Sequence, residues 1–382
     1  MGALAGIKVL DLSRVLAGPW CSQTLADLGA EVTKIERPEQ GDDTRSWGPP
    51  FAPSKVGGTG ESAYFLCANR GKRSVTLDLK DEQDRERLLA MVDDSDVLIE
   101  NFKVGTLARL GLDYDTLASR NPRLVYCSIT GFGQTGPYRD RPGYDFLIQA
   151  MGGLMSITGE ADENPGGGPQ KIGVALTDIM TGLYASIGIL AALQERERSG
   201  LGQYVDLALL DVTAATLANQ ATNYLVGGQL PRRLGNAHPN IVPYQAFRCA
   251  DAHIIVTVGN DGQFQRFADV LHKPDLARNP RFATNAARVE HRHELLSIIE
   301  PLLAARDAQD WLQDFETAGV PAGPINGVDQ VFADPQIAAR DMLITMEHPD
   351  AGATRLVGNP IHLSRTPVTY QRPPPLLGEH ND

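Results

Sequence analysis

The chain has 382 residues, 42% hydrophobic and 21% charged, an ordinary globular composition with enough length for two domains and a large core. Its formal net charge of −12 argues against nucleic acid or an anionic membrane as the main partner, so any phosphate site must be a local basic pocket. Four cysteines, Cys21, Cys67, Cys127 and Cys249, lie far apart with no paired spacing, which indicates neither a disulfide framework nor a zinc site and fits a reducing cytoplasm.

The opening "MGALAGIKVLDLS" lacks the basic start and apolar stretch of a secretory signal and reads as a first strand, "KVLDLS". Helix "PWCSQTLADLG" and strand "EVTKIE" complete a βαβ unit. The alternation continues through strand "SVTLDL", helix "EQDRERLLAMVDD", strand "VLIENF", two short helices and strand "LVYCSIT". A long apolar helix follows "LTD", with Ile179 to Leu193 too short to span a bilayer, then strand "QYVDLAL" and one helix "LDVTAATLANQATNYLVGG". This pattern predicts an α/β, doubly wound parallel-sheet large domain over residues 1–225. From "GQLPRRLGNAHPN" a linker opens a smaller α+β domain over 226–330, with "YQAFRCADAHIIVTV" as a hairpin turning at Ala250 to His253. Residues 331–382 carry strands near "LITMEH" and "ATRLVGN" and a Pro-rich irregular tail, read as a segment returning toward the large domain.

"GFGQTG", Gly131 to Gly136, matches the dinucleotide fingerprint by letter, but "PYRDRPG" follows it and no helix opens there, so NAD is rejected. All eight histidines lie at His238 or later, which leaves the large domain without an imidazole for a Ser–His or Cys–His pair. His291 and His293 in "HRH" read as solvated surface rather than metal ligands. Basic residues cluster at turns, Arg37, Arg70, Lys72, Arg73, Lys103 and Arg109, where a doubly wound sheet binds ligands; by sequence they are equally phosphate ligands or scattered surface charge. "VGNDGQ", with Gly259 and Gly262, is a plain turn or a lid, and the residues alone favour the turn.

"GVALTDIMTG" raises the sharpest question, since Asp178 stands at the head of the apolar helix. The bland reading is a helix cap, and residue chemistry alone favours it. The reactive reading is a carboxylate nucleophile, ionised in advance by the helix N-terminus.

Separated motifs then decide between these readings. "VLAGPW", "KIERP", "RSWGPP", "NRGKRSVTLDL", "ENFKVGTLARLGLDY", "ITGFGQTGPY", "LTDIMTG", "RLGNAHPNIVPYQAF", "GVPAGPIN" and "RPPPLLGEH" occur in one order, and with them the chain resembles class III coenzyme A transferases of the CaiB/BaiF type over its whole length. The resemblance implies that Asp178 is the nucleophile. It attacks an acyl-CoA to give an aspartyl acyl anhydride and CoA thiolate, the thiolate converts this to an aspartyl-CoA thioester, and the acceptor acid attacks that thioester. It further implies coenzyme A contacts at Val15, Arg37, Asn101, Phe102, Thr106 and Arg109, and a substrate pocket near Leu16, Trp47, Tyr144, Asp145, Gly259 and Gly262.

Coenzyme A is then a substrate and product rather than a tightly bound cofactor, no metal is implied, and the partners are acyl-CoA and carboxylic acid substrates and a second copy of the chain in an interlocked homodimer. Tyr144 and Asp145 stand where related racemases carry a histidine before an acid, which disfavours the racemase or epimerase alternative; an intact Asp178 disfavours a non-catalytic CoA-binding subunit. Leu16 replaces the glutamine of formyl-CoA transferases, and the "VGNDGQ" segment has fewer glycines than related lids. The second half most resembles members acting on short dicarboxylates, for which Arg14, Arg45, Arg141 or Lys171 is the expected partner of the second carboxylate.

Overall fold

The computed structural model describes residues 2–381 and divides into two units. The first comprises the chain up to Leu154, Lys171–Gln229, and the chain from Pro335 onward. Its centre is a six-stranded parallel sheet of β1 (Lys8–Asp11), β2 (Glu31–Glu36), β3 (Lys72–Thr76), β4 (Val97–Glu100), β5 (Val125–Thr130) and β6 (Tyr204–Ala208), in the order β3-β2-β1-β4-β5-β6. Every residue of β4 is buried because helices cover both faces, which is why the central strands read as continuous apolar runs. Side-chain alternation sends Val97 and Ile99 into one core layer and Leu98 into the other.

The helices of this unit are α1 (Ala17–Asp27), α2 (Ala63–Leu66), α3 (Glu82–Asp93), α4 (Tyr114–Arg120), α5 (Asp145–Met151), α6 (Leu154–Ile157), where the chain leaves the unit, α7 (Leu176–Ser199), α8 (Leu209–Thr216) and α9 (Ala218–Gly227). The single helix expected after β6 is two, broken at Ala218, whose φ of 45° is left-handed. At 24 residues α7 is long and apolar enough, by length and composition, to cross a membrane, so the shorter span read from the sequence is corrected. Its Ala185, Ile189 and Leu193 instead pack in the core with Cys21 and Leu25 of α1. Gly182 permits that approach: a Cβ there would sit 2.6 Å from the Ala17 carbonyl oxygen.

The second unit comprises Met155–Gln170 and Leu230–Asp334. Strands β7 (Tyr244–Arg248), β8 (His253–Thr257) and β9 (Ala322–Pro324) form an antiparallel sheet, with the expected hairpin closing between Arg248 and His253. Helices α10 (Asp261–Val270), α11 (Asp275–Arg278), α12 (Asn285–Glu290), α13 (Arg292–Leu303) and α14 (Ala308–Ala318) accompany it, and the core stacks Phe267, Phe315 and Trp311. Sequence-based boundaries left residues 155–170 in the first domain. In the structure they join the second unit, where Arg233 donates to the Ser156 carbonyl at 3.2 Å and pairs with Asp162.

Returning to the first unit, the chain forms an antiparallel hairpin of β10 (Leu343–His348) and β11 (Gly352–Val357). Among the described residues the tail beyond has neither helix nor strand, yet it lies along β3, the sheet's edge strand. His380 N–H bonds the Ser74 carbonyl at 2.9 Å, Ser74 N–H bonds His380 Nδ1 at 3.3 Å, and Thr76 N–H bonds Asn381 Oδ1 at 2.8 Å.

Candidate active site

The strand order reverses between β1 and β4, and in such sheets ligands bind beyond the carboxyl ends at that switch. A cavity of about 560 Å³ lies there, in the first unit. Its wall combines Arg14–Ala17 after β1, Asn101–Val104 after β4, Ile129–Gly131 at the end of β5, Arg139 and Arg141–Tyr144, with Trp47 and Asp178. An adjoining cavity of about 300 Å³, mostly apolar, shares Arg14 and Phe102 with it and adds Leu12, Ile35, Arg37, Leu77, Thr106 and Leu110.

The loop after β1 is held almost atom by atom. Lys34 Nζ donates to the Ser13 carbonyl at 2.8 Å. The Asn101 amide accepts from Arg14 N–H at 2.9 Å and donates to the Arg14 carbonyl at 2.7 Å. Asp42 Oδ1 accepts from Val15 N–H at 3.2 Å. Val15 sits at φ 71°, a left-handed conformation that costs a β-branched residue roughly 1–3 kcal/mol and survives only where its surroundings impose it.

Beneath the loop, Lys34 pairs with Asp42 at 2.8 Å and Lys72 with Asp11 at 3.0 Å, all four side chains fully buried. Burial alone would raise the Asp11 carboxyl, but the Lys72 and Lys34 ammoniums and the Ser13 and Ser22 hydroxyls hold it at about 2. Burial draws Lys72 down to about 8.

Asp178 is the third residue of α7, and it does not cap the helix. Asp145, from the first turn of α5, does that: its Oδ1 accepts from Thr177 N–H at 2.8 Å and from Asp178 N–H at 3.3 Å. Asp178 is thereby left free to face the cavity, without a cation. Burial, and then the neighbouring Asp145 carboxylate, push it up to about 7. Burial thus works against the ionisation that the helix N-terminus favours by about 0.3–1 kcal/mol, up to about 2 when partly buried. Tyr64, raised to about 12 by burial and then by Asp178 and Asp145, stacks edge-on against Trp47 at 5.2 Å.

Val15, Leu16, Trp47, Asn101, Phe102, Tyr144 and Asp178 thus share one wall. Arg37 and Thr106 line the smaller cavity, and Arg37 is paired with Asp43 at 2.6 Å. Arg109 is exposed outside both walls, its Nη2 3.3 Å from Thr106 Oγ1. Asp145 stands behind the wall as the helix cap. Gly259 and Gly262 belong to the second unit, where Gly259 N–H bonds Gln263 Oε1 at 2.7 Å and Asn260 caps α10.

Three basic residues expected at turns or substrate are buried structural ions. Lys72 pairs with Asp11; Arg70 with Asp27 at 2.6 Å; Arg45 with Glu36 and Glu61 while lying over the Phe65 ring. Lys171 lies over Phe146 and is absent from the cavity wall, whereas Arg14 and Arg141 are on it. The first unit also contains imidazoles, since the returning segment brings in His348, His362 and His380, though none lines the cavity. Sequence reading missed Lys34, Asp42, Asp43, Tyr64 and Arg139. The one available signal was the doubled acid in "GDDTR", in the turn that follows β2. Among the described residues no cluster of His, Cys, Asp or Glu is arranged to hold a metal.

With this geometry established, comparison with known proteins is informative. The family model described as "CoA-transferase family III" matches residues 4–381. The succinate–glutarate CoA-transferase of Agrobacterium fabrum is 52% identical over 377 residues, covering 99% of this chain and 93% of the relative. The human succinyl-CoA:glutarate CoA-transferase is 44% identical, covering 99% and 84%. The crystal structure of a CaiB/BaiF family protein from Brucella suis is 49% identical with a TM-score of 0.86, covering 100% of this chain and 97% of that one. The chain belongs to CoA-transferase family III and is a CoA-transferase.

Proposed function

We propose that this enzyme moves coenzyme A between short dicarboxylic acids of the succinate and glutarate class, with Asp178 as the covalent relay. The observation that carries the reading is Asp178 itself, on the wall of the switch-point cavity with no cation and no imidazole beside it. An Asp178 oxygen attacks the thioester carbonyl carbon, the C–S bond breaks, and CoA thiolate leaves an aspartyl acyl anhydride. The thiolate then attacks the Asp178 carbonyl, releasing the donor acid and leaving an aspartyl-CoA thioester. The acceptor carboxylate displaces the thiolate to form a second anhydride, and thiolate attack on its acyl carbon yields the new acyl-CoA and restores Asp178.

The nucleotide end of coenzyme A fits the smaller cavity, where Arg37 supplies a phosphate partner and Thr106 and Leu110 an apolar wall, and Phe102 marks the passage to the reactive end. Arg139 and Arg141 line the Asp178 cavity, where Arg14 is already paired with Asp43 at 3.0 Å, and these two cations support a substrate with a second carboxylate, as do the names of the relatives. The racemase alternative is not favoured, because no histidine stands beside Asp145 or on the cavity wall.

Exposed Phe146, Leu147, Val174, Leu183, Tyr184 and Ile187 support a homodimer, which light scattering on the purified protein tests. The decisive experiment mixes the protein with succinyl-CoA and reads intact mass and peptides for an adduct on Asp178, then compares donors at fixed glutarate. An adduct elsewhere, or a higher kcat/KM for acetyl-CoA or a long fatty acyl-CoA than for succinyl-CoA, overturns the reading.

A further inference from the structure

We infer that Asp42 is a positioning residue for the coenzyme A site, acting through the Val15 amide to hold the left-handed turn that sets Val15 and Leu16 on the wall they share with Asp178. The inference rests on the proposed function for the identity of the ligand. Its own support is geometric.

Three consecutive residues of the loop are clamped by side chains from three places in the sheet. Ser13 is held by Lys34 of β2, Arg14 by Asn101 after β4, and Val15 by Asp42 in the turn after β2. Asp42 and Lys34 are themselves joined at 2.8 Å and fully buried, so one ion pair grips the chain on both sides of Arg14. Asp42 Oδ1 also accepts from Thr44 N–H at 3.0 Å and Thr44 Oγ1 at 2.8 Å, which fixes the carboxylate against the one-turn helix Asp43–Ser46. That turn carries Asp43, the partner of both Arg14 and Arg37. A glycine at position 15 would adopt the same φ without strain. The sequence instead places there a β-branched side chain that lines the cavity, and strain maintained beside a ligand site is grounds for a functional hypothesis. A buried ion pair is weak evidence for stability by itself, whereas holding one geometry is a role it can fill.

Two paired variants separate the hydrogen-bond acceptor from the charge. Lys34→Met with Asp42→Asn removes both ions and keeps an oxygen for the Val15 amide; Lys34→Met with Asp42→Leu removes that oxygen as well. Calorimetry with coenzyme A itself gives Kd, succinyl-CoA and glutarate kinetics give the KM and kcat split, and deuterium uptake reads the peptide covering residues 12–17. Both variants lose the Lys34 grip on the Ser13 carbonyl, so the comparison lies between them: the leucine variant is expected to show Kd and acyl-CoA KM about tenfold or more above those of the asparagine variant, with the glutarate KM the same in both and faster exchange at Val15. Equal Kd in the two variants, whether both retained or both lost, overturns the inference. If the leucine variant does not fold, wild-type exchange decides: a protected Val15 amide, further slowed by coenzyme A, supports the role, and exchange at the unstructured rate overturns it. A wild-type protein that does not bind coenzyme A removes the proposed function and this inference together, whereas the other adverse outcomes leave the function standing.

Discussion

Two regions of the first unit draw an aspartate out of water, Asp11 completely and Asp178 in part, with opposite results. Under the β1 loop, Asp11 meets two ammonium groups and two hydroxyls and stays ionised down to about pH 2. At the head of α7, Asp178 meets no cation and has Asp145 nearby, and its carboxyl rises to about 7. Both lose water; only one is compensated. The compensated carboxylate holds a fold together and is inert as a nucleophile, because its lone pairs are engaged. The uncompensated one is destabilised as an ion, and that free energy is available to bond formation.

The same substitution at each position breaks the comparison most directly. Asp178→Asn is expected to lower kcat by about 10³-fold or more while leaving the melting temperature equal or higher, since an amide cannot form the anhydride and Asp145 still caps α7. Near-wild-type turnover in freshly purified protein, with deamidation excluded by mass, would remove Asp178 as the relay. Asp11→Asn is expected to do the reverse. It leaves Lys72 without its counterion and destabilises by about 3–5 kcal/mol, measured by denaturant unfolding, with kcat per folded molecule little changed.

Acidity sharpens the contrast. Asp178 has a folded-state pKa above its unfolded value of 3.8, so it weakens the native state progressively as pH rises from about 4 to about 7. Asp11 lies below that value, so its contribution is present above about pH 4 and is lost as pH falls toward 2. Asp178→Asn should therefore melt above wild type at pH 8, with the gap closing by pH 4. A gap that is constant with pH would mean that the Asp178 carboxyl titrates normally. The rate of adduct formation at Asp178 should rise over the same interval as the carboxyl ionises.

Glu100 is the intermediate case. Burial raises it to about 7, but its oxygens are engaged by the Ser128 hydroxyl and by Phe102 N–H at 2.8 Å. Glu100→Gln preserves the shape and should change stability by only about 1 kcal/mol at neutral pH. A loss as large as that of Asp11→Asn would show that Glu100 carries a charge the fold needs.

Much of this was legible in the sequence where the signal is local. The strand "EVTKIE" coincides with β2 because its boundaries are set by neighbouring turns, and Asp178 stood out because it directly precedes an apolar run. What was missed depends on distant partners. Lys34 carried no signal and Lys72 read equally as a phosphate ligand or surface charge, since the acids that neutralise them come from other strands and turns. Capping of α7 looked like a task for its own Thr and Asp, yet Asp145 performs it from another helix. Residues 155–170 carry no mark of belonging to the second unit, because their contact with Arg233 is made only after the chain has completed the sheet. The break at Ala218 has neither Gly nor Pro to announce it.

The tail along β3 bears on solubility. An edge strand with free amides is a template for pairing with another chain, and here the Ser74 and Thr76 amides are already engaged by His380 and Asn381. Thr76 N–H also shares Asn381 with the Thr76 hydroxyl, which bonds the same side chain in both directions. Residues 372–381 act as a plug against strand addition, so their removal would turn the rim of the sheet into a surface for self-association long before it disturbed the chemistry at the opposite side of β1.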